Sequence, residues 1–266
     1  MTRLKDKVAI VTGGGQGIGK AIALAFAAEG ASVVVAARNM VNLEKAVAEI
    51  TSKGGKAKAI QADVTIEAQI ERMVADTVKA FGKVDILVNN SGIGGVTCPV
   101  VDLKLEDWME VLQIDLTGSM LCSKHVLKQM IPRKSGVIIN IAAEGGRAGD
   151  GKSGYPMRTP YCCSKMGIIG LTESVSVEVG QYGVRVNAIS PAAVKGERLV
   201  NVIKGRAQAL GVPFENLMSK IAENSSLGRI TEESDVAAMA VFLASDEARA
   251  VTGQTIPIHC GLHITF

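Results

Sequence analysis

The stretch that decides the fold is Thr12-Gly13-Gly14-Gly15-Gln16-Gly17-Ile18-Gly19. It follows an apolar run, residues 8–11, and opens an amphipathic stretch, residues 18–28. This order predicts a buried strand, a glycine turn and a helix. Glycines let the backbone turn sharply and approach a pyrophosphate, whose charge is stabilised by the positive end of the helix. The alternative is a tight turn without a ligand, but five glycines in this context favour phosphate binding.

Strand-like and helix-like segments alternate along the rest of the chain. Short runs rich in Val, Ile and Ala predict strands, and the longer periodic segments between them predict helices. The further predicted strands are residues 31–37, 56–61, 84–89, 136–141, 184–189 and 255–259. The further predicted helices are residues 43–50, 67–81, 106–130 (ended by Pro132), 159–180 and 232–244. This alternation predicts an α/β fold, with a doubly wound, parallel seven-stranded sheet and helices on both faces.

Ligands of doubly wound sheets bind beyond the carboxyl ends of the strands. The segments expected there are residues 13–19, 37–39, 63–64, 89–92, 142–155 and 191–198. We therefore expect these segments to line one crevice.

Composition bounds the remaining possibilities. The chain has 266 residues, 47% of them apolar, and shows no linker or repeat, which favours one Rossmann-type domain over residues 1–266. A net charge of +3 without a basic tract, together with 3% aromatics, argues against nucleic-acid or membrane-surface partners. The sequence predicts no membrane-spanning segment, no signal peptide and no metal site. Five scattered cysteines predict reduced thiols in a cytoplasmic protein.

Six short motifs follow one another in a fixed order. They are Thr12-Gly13…Gly17-Ile18-Gly19, Asp63-Val64, Asn89-Asn90-Ser91-Gly92, Tyr161-Cys162-Cys163-Ser164-Lys165, Val184-Arg185-Val186-Asn187 followed by Pro191, and Val251-Thr252-Gly253-Gln254. In this order they resemble the short-chain dehydrogenase/reductase family over essentially the whole chain. The resemblance implies a nicotinamide dinucleotide as cofactor. The implied cofactor-binding residues are Gly13, Gly15, Gln16, Gly17, Ile18, Gly19, Arg38, Asp63, Val64, Asn90, Ser91, Gly92, Tyr161, Lys165, Pro191 and Val194.

Tyr161 and Lys165 lie four residues apart on one predicted helix, so they share a face. A tyrosine hydroxyl is too weak an acid for neutral pH, and a neighbouring ammonium favours its phenolate form. The resemblance implies that Tyr161 exchanges a proton with the substrate oxygen while the cofactor carries the hydride. It also implies that Lys165 holds the nicotinamide ribose. The alternative is a buried tyrosine beside a surface lysine.

The end of the second predicted strand bears on which nicotinamide is used. A carboxylate there would hydrogen-bond the adenosine ribose and repel a 2′-phosphate. Here Ala37 stands where NAD-preferring members of the family usually carry Asp, and Arg38 follows it. Because a guanidinium pairs well with a phosphate, we expect NADP(H) rather than NAD(H), with NAD as the other possibility. The alternative for Arg38 is a solvated loop charge.

Two positions depart from the family pattern. Ala143 stands where the family usually has a serine that holds and polarises the substrate carbonyl. Asp115 stands where the family usually has an asparagine on the preceding long helix. A carboxylate near Lys165 would hold the lysine charged more firmly, so Asp115 is a candidate catalytic residue beside Tyr161 and Lys165.

The gap between Ala143 and Tyr161 is longer than the family usually has, and three hypotheses follow. A loop hydroxyl from Ser153, Tyr155 or Thr159 replaces the missing serine. Alternatively, Glu144 or Asp115 takes over polar work and the reaction differs from plain ketone reduction. In the third hypothesis catalysis is weakened and the protein mainly binds cofactor. The candidate substrate residues are Ala143, Glu144, Ser153 and Arg198.

Residues 192–226 fall where the family covers its substrate, and Arg198 is the cation expected closest to the crevice. Met166, Ile168, Ile169 and Leu171 form an apolar stripe expected in the core or at a subunit interface. The resemblance implies a homo-oligomer, a tetramer or dimer, and residues 264–266 are expected to pack on a neighbour. The main hypothesis is an NADP(H)-dependent oxidoreductase that interconverts an alcohol and a carbonyl on a small organic substrate. The alternatives are a cofactor-binding regulatory or scaffold protein and an enzyme retooled for a non-redox step.

Overall fold

A computed structural model describes residues 2–143 and 155–261, with the side chains of residues 209 and 210 excepted. Seven parallel strands form one sheet in the order β3-β2-β1-β4-β5-β6-β7, which confirms the predicted sheet. The strands are β1 (Val8–Thr12), β2 (Ser32–Ala37), β3 (Lys56–Gln61), β4 (Ile86–Asn89), β5 (Gly136–Ile141), β6 (Val184–Pro191) and β7 (Thr255–Ile258). The order reverses between β1 and β4, which is the switch point where doubly wound sheets bind ligands.

Helices cover both faces of this sheet, as the alternation predicts. The helices are α1 (Gly17–Ala28), α2 (Met40–Ser52), α3 (Glu67–Phe81), α4 (Leu105–Leu112), α5 (Gly118–Arg133), α6 (Thr159–Val179), α7 (Glu197–Leu210), α8 (Phe214–Glu223) and α9 (Glu233–Ala244). Short 3₁₀ turns occupy Val100–Asp102, Gly180–Tyr182 and Asp246–Ala248.

Successive residues of a strand point to opposite faces, so each strand feeds two cores. Val11 of β1 packs with Phe26 of α1 in one buried cluster. Ile10, the residue before it, packs with Met73 of α3 in the other. Because both faces are buried, β1 is apolar from Val8 to Val11 and does not alternate. β3 lies at the sheet edge, where the exposed Lys56 and Lys58 discourage pairing with another chain.

The prediction of one uninterrupted helix over residues 106–130 is wrong in two respects. The helix begins at Leu105 and contains a π-helical segment, Gln113–Thr117, between α4 and α5. It also passes through Pro132, although the ring removes the N–H that would bond the carbonyl four residues earlier. It ends after Arg133, and Lys134 leaves it in the left-handed conformation with φ of 50°.

Two further expectations are refined. Residues 192–226, where the sequence shows only a patchy helical pattern, hold the well-formed α7 and α8. The apolar stripe on α6 divides, because Ile168 and Ile169 are buried in the core while Met166 is exposed. Within the described ranges no helix is both long and apolar enough to cross a membrane.

Candidate active site

The glycine loop after β1 takes backbone conformations that L side chains rarely adopt. Gly13 has φ of 64° and Gly17 has φ of 57°. A Cβ on Gly13 would lie 2.7 Å from Nδ2 of Asn90, and one on Gly19 would collide with the Gly13 carbonyl. At Gly17, by contrast, the nearest atom to a Cβ would be Oε1 of Glu233 at 3.7 Å. A side chain therefore has no room at Gly13 or Gly19, whereas there is space beside Gly17.

The segment after β4 is fastened to the end of β1. Thr12 Oγ1 accepts from the N–H groups of Asn90 and Ser91, at 3.0 and 3.1 Å. The Asn90 amide nitrogen donates to the carbonyls of Thr12 and Gly13, at 3.0 and 3.3 Å. Below them the buried Asn89 donates to Asn140 of β5 at 2.8 Å. The bonds of Thr12 and Asn90 join the ends of β1 and β4 at the switch point. They place the glycine loop next to the segment after β4.

The residues after β2 and β3 are also brought to this edge. Arg38 is exposed, and its backbone carbonyl accepts from Gln61 Nε2 at 2.9 Å. The Asp63 carboxylate accepts from both the N–H and the hydroxyl of Thr65, at 2.9 and 2.8 Å. Val64 is buried in the core cluster that also contains Ile10 and Met73.

Lys165 and Asp115 form a buried ion pair beneath the crevice. Lys165 Nζ lies 3.5 Å from Asp115 Oδ2, and the two side chains are 6% and 0% exposed. Nζ also donates to the Ile141 carbonyl, at the carboxyl end of β5, at 2.9 Å. Oδ1 of Asp115 accepts from the Ile93 N–H at 2.8 Å, and Oδ2 from the Ser164 hydroxyl at 3.3 Å. Asp115 thus links Ile93, in the segment after β4, to Ser164 and Lys165 on α6.

The local backbone explains how Asp115 reaches this position. It lies in the π-helical segment Gln113–Thr117, and single π turns inside helices recur at functional sites. Gly92 faces the carboxylate, and a Cβ there would lie only 3.0 Å from Oδ1. The glycine of the Asn89–Gly92 motif is therefore required by the close approach of Asp115.

Three cations face the ring of the half-buried Tyr161. Lys165 Nζ lies 5.8 Å from the ring centre. The central guanidinium carbons of Arg158 and Arg198 lie 4.8 and 5.8 Å from it. Sequence reasoning expected Arg198 near the crevice but missed Arg158, whose spacing of three residues from Tyr161 on α6 was the available signal.

Arg158 is fixed at the start of α6, where it is the N-terminal flanking residue. It is only 8% exposed, and Nη2 donates to the Gly94 carbonyl at 2.9 Å. Burial lowers the pKa of Arg158; Tyr161 opposes this shift and the like charge of Arg198 adds to it. The Cys98 N–H bonds to the Met157 carbonyl at 3.0 Å, so the same two loops are joined twice.

The other predicted substrate and loop residues divide into two groups. Ala143 is buried directly after β5, and Pro191 is the last residue of β6. Val194 pairs with Thr231 in an isolated parallel bridge. Thr159 opens α6. Glu144, Ser153 and residues 264–266 lie outside the described residues.

Comparison with known proteins agrees with this architecture. The family model described as "Enoyl-(Acyl carrier protein) reductase" matches residues 13–263. A 3-oxoacyl-[acyl-carrier-protein] reductase of Synechocystis sp. is 38% identical over 98% of this chain and 99% of its own length. The solved structure of NAD+-bound xylitol dehydrogenase has a TM-score of 0.92, with 33% identity over 97% of this chain and all (100%) of that chain. An actinorhodin polyketide ketoreductase variant with NADPH has a TM-score of 0.91, with 34% identity over 97% and 98% of the two chains.

The chain belongs to the short-chain dehydrogenase/reductase family. It is an NAD(P)-dependent oxidoreductase on a single Rossmann-type α/β domain with a seven-stranded parallel sheet.

Proposed function

We propose that this protein interconverts an alcohol and a carbonyl on a small organic substrate, with NADP(H) as hydride carrier and Tyr161 as acid/base. The observation that carries the proposal is the ring of Tyr161 facing Lys165, whose ammonium is itself paired with buried Asp115. When bound, the cofactor supplies the hydride. This chain's own residues position it and exchange the proton.

The glycine loop fits a dinucleotide. The positive end of α1, which follows the loop and has no acidic residue in its first turn, suits the negative charge of a pyrophosphate. Asn90, Ser91 and Gly92 would line the same crevice next to the loop, as would Asp63 and Val64 from the end of β3.

The roles of the ion pair follow from charge. The Lys165 ammonium favours a negative charge on the Tyr161 oxygen, so it assists proton transfer in both directions. Asp115 pairs with that ammonium and is itself held in place by the Ile93 N–H and the Ser164 hydroxyl. Asp115 therefore acts as a positioning residue for Lys165. Residues 192–226, which carry Arg198, would cover the substrate.

Turnover is tested by following absorbance of the reduced cofactor with a panel of alcohols and ketones. Oxidation or reduction of the cofactor by members of the panel supports the proposal. Tight cofactor binding without turnover, even in Ala143→Ser, supports instead a protein that mainly binds cofactor. That alternative is favoured by one observation, the buried Ala143 where a hydroxyl is expected. Substrate consumption without net change in the cofactor supports a non-redox step.

The NADP(H) preference rests on Arg38, which is exposed and forms no side-chain hydrogen bond or ion pair with another residue of the described ranges. Solved relatives hold NAD+ in one case and NADPH in another. Titration should give tighter binding of NADPH than NADH. Arg38→Ala should weaken NADPH by about 10- to 100-fold and leave NADH nearly unchanged, because one charge-assisted contact is lost. Arg72→Ala, on α3, is the matched control. Tighter binding of NADH by the unaltered protein contradicts the assignment.

We further propose a homo-oligomer, a dimer or tetramer. Apolar side chains lie exposed around α4, with Val101 at 86%, Leu105 at 69% and Met109 at 51% exposure. Surface of this kind favours burial against a second copy. Sedimentation of the protein and of Val101→Lys is the test, and a monomeric unaltered protein contradicts the proposal.

All five cysteines are free thiols, which supports the expected cytoplasmic location.

A further inference from the structure

Two arginines converge on the tyrosine proposed as acid/base, and no described carboxylate neutralises them. The central guanidinium carbons of Arg158 and Arg198 lie 4.8 and 5.8 Å from the centre of the Tyr161 ring. Burial has the largest effect on the pKa of Arg158, and the other described groups that shift it are Tyr161, Arg198, Cys162 and Tyr155, none of which is a carboxylate. Among residues 2–143 and 155–261, neither arginine forms an ion pair.

Arg158 occupies an electrostatically unfavourable place. It is more than nine-tenths buried, and its Nε has no hydrogen-bond partner among the described residues. It also stands at the start of α6, a helix of 21 residues whose positive end repels a cation. Burying an unpaired cation costs free energy that a structural role alone does not offset. An anion placed between the arginines would offset that cost.

We propose that the substrate carries an anionic group, a carboxylate or a phosphate, beside the carbon that is oxidised or reduced, and that Arg158 and Arg198 bind it. This inference rests on the proposed function of Tyr161. Both guanidinium groups lie within 5.8 Å of the centre of the ring whose hydroxyl would donate to the carbonyl oxygen, so substituents on the neighbouring carbons would lie in their vicinity. The planar fork of arginine matches carboxylate and phosphate oxygens.

The same site compensates in part for Ala143. A serine hydroxyl at that position would orient the substrate carbonyl by one hydrogen bond, and alanine offers none. An anionic group held by two arginines orients the carbonyl from the other side. The substrate class is then an oxo acid or oxo phosphate ester in one direction and the corresponding hydroxy compound in the other.

The test compares anionic ketones with neutral ones of similar shape. The pairs are acetoacetate with methyl acetoacetate and dihydroxyacetone phosphate with dihydroxyacetone. Turnover is followed by oxidation of NADPH, and equilibrium binding is measured by calorimetry with the protein saturated with NADP+, which cannot reduce the ketone. We expect at least one anion to exceed its neutral partner by about 10- to 100-fold in kcat/KM and in affinity, the worth of a charge-assisted contact. The pair that shows this preference identifies the carboxylate or the phosphate.

Variants locate the preference. Arg158→Met should abolish the preference for the anionic ketone while NADPH still binds. Arg198→Met should reduce this preference without risk to folding, because Arg198 is exposed. Arg72→Met on α3 removes the same charge elsewhere and should leave it intact. Equal or better use of the neutral ketones by the unaltered protein overturns the inference, as does a preference that survives in both variants.

Failure of the proposed function gives a different pattern. If no ketone is turned over, calorimetry with the same pairs still decides, because anion binding that is lost in Arg158→Met supports the anion site by itself. Absence of anion binding in the unaltered protein overturns it whether or not neutral ketones are reduced.

Discussion

Removing both partners of the Lys165–Asp115 pair should destabilise the protein by less than the sum of the two single removals. The charges lie 3.5 Å apart with side chains 6% and 0% exposed. At an effective dielectric of about 20, their attraction is about 5 kcal/mol, which offsets the cost of taking them out of water. Either Asp115→Ala or Lys165→Met leaves an unpaired buried charge and should cost about 3–5 kcal/mol of unfolding free energy.

The double variant should lose about 1–3 kcal/mol less than the sum of the two single losses, because neither charge is then stranded. Urea unfolding at one fixed protein concentration measures all four proteins, since assembly also affects apparent stability. Lys124→Met is the matched control, because its ion pair with Glu67 is solvent-exposed and should contribute little. Single losses that add to the double loss within about 0.5 kcal/mol would refute the coupling.

Two other predictions follow from the local geometry. Gly13→Ala should destabilise the protein and weaken cofactor binding more than Gly82→Ala does. Both glycines have positive φ, but only at Gly13 would a Cβ meet close neighbours. Equal losses of the two variants in thermal unfolding and in NADPH titration would contradict this. Hydrogen bonds from Lys124 and His125 lower the pKa of Glu67 to about 2 from its usual 4.5, so the stability that this carboxylate contributes, which solvent screening keeps small, is present above about pH 4.5 and lost toward pH 2. Glu67→Gln should therefore be less stable than the unaltered protein at pH 7, with a difference that shrinks over that range; a difference independent of pH would contradict it.

The fold was largely predictable because its signals are local. Buried parallel strands read as apolar runs, and the glycine stretch after β1 marks where the chain turns back into a helix. What the sequence did not reveal depends on neighbours. The family resemblance predicted Asp115 near Lys165, but nothing in the period of the helix marks the π-helical segment Gln113–Thr117 or the bond from the Ile93 N–H to Asp115. Pro132 similarly looked like a stop, but the helix runs one residue beyond it, to Arg133.

The candidate site shows the same division. The four-residue spacing of Tyr161 and Lys165 predicted a shared face, and the structure brings Lys165 Nζ within 5.8 Å of the tyrosine ring. Arg158 was missed because its importance depends on burial and on the Gly94 carbonyl, which comes from a loop 64 positions away. Its spacing from Tyr161 was visible, but spacing alone does not distinguish a solvated arginine from a buried one.

The central claim is that the Tyr161 phenol exchanges the proton in an alcohol–carbonyl reaction, and Tyr161→Phe tests it most directly. The measurement is the steady-state rate of NADPH oxidation with the best ketone of the panel, together with NADPH affinity in the same protein. The expected result is a fall in kcat of about 10²–10⁴-fold, the usual worth of a general acid, with NADPH affinity near that of the unaltered protein. Unchanged turnover in Tyr161→Phe would contradict the account.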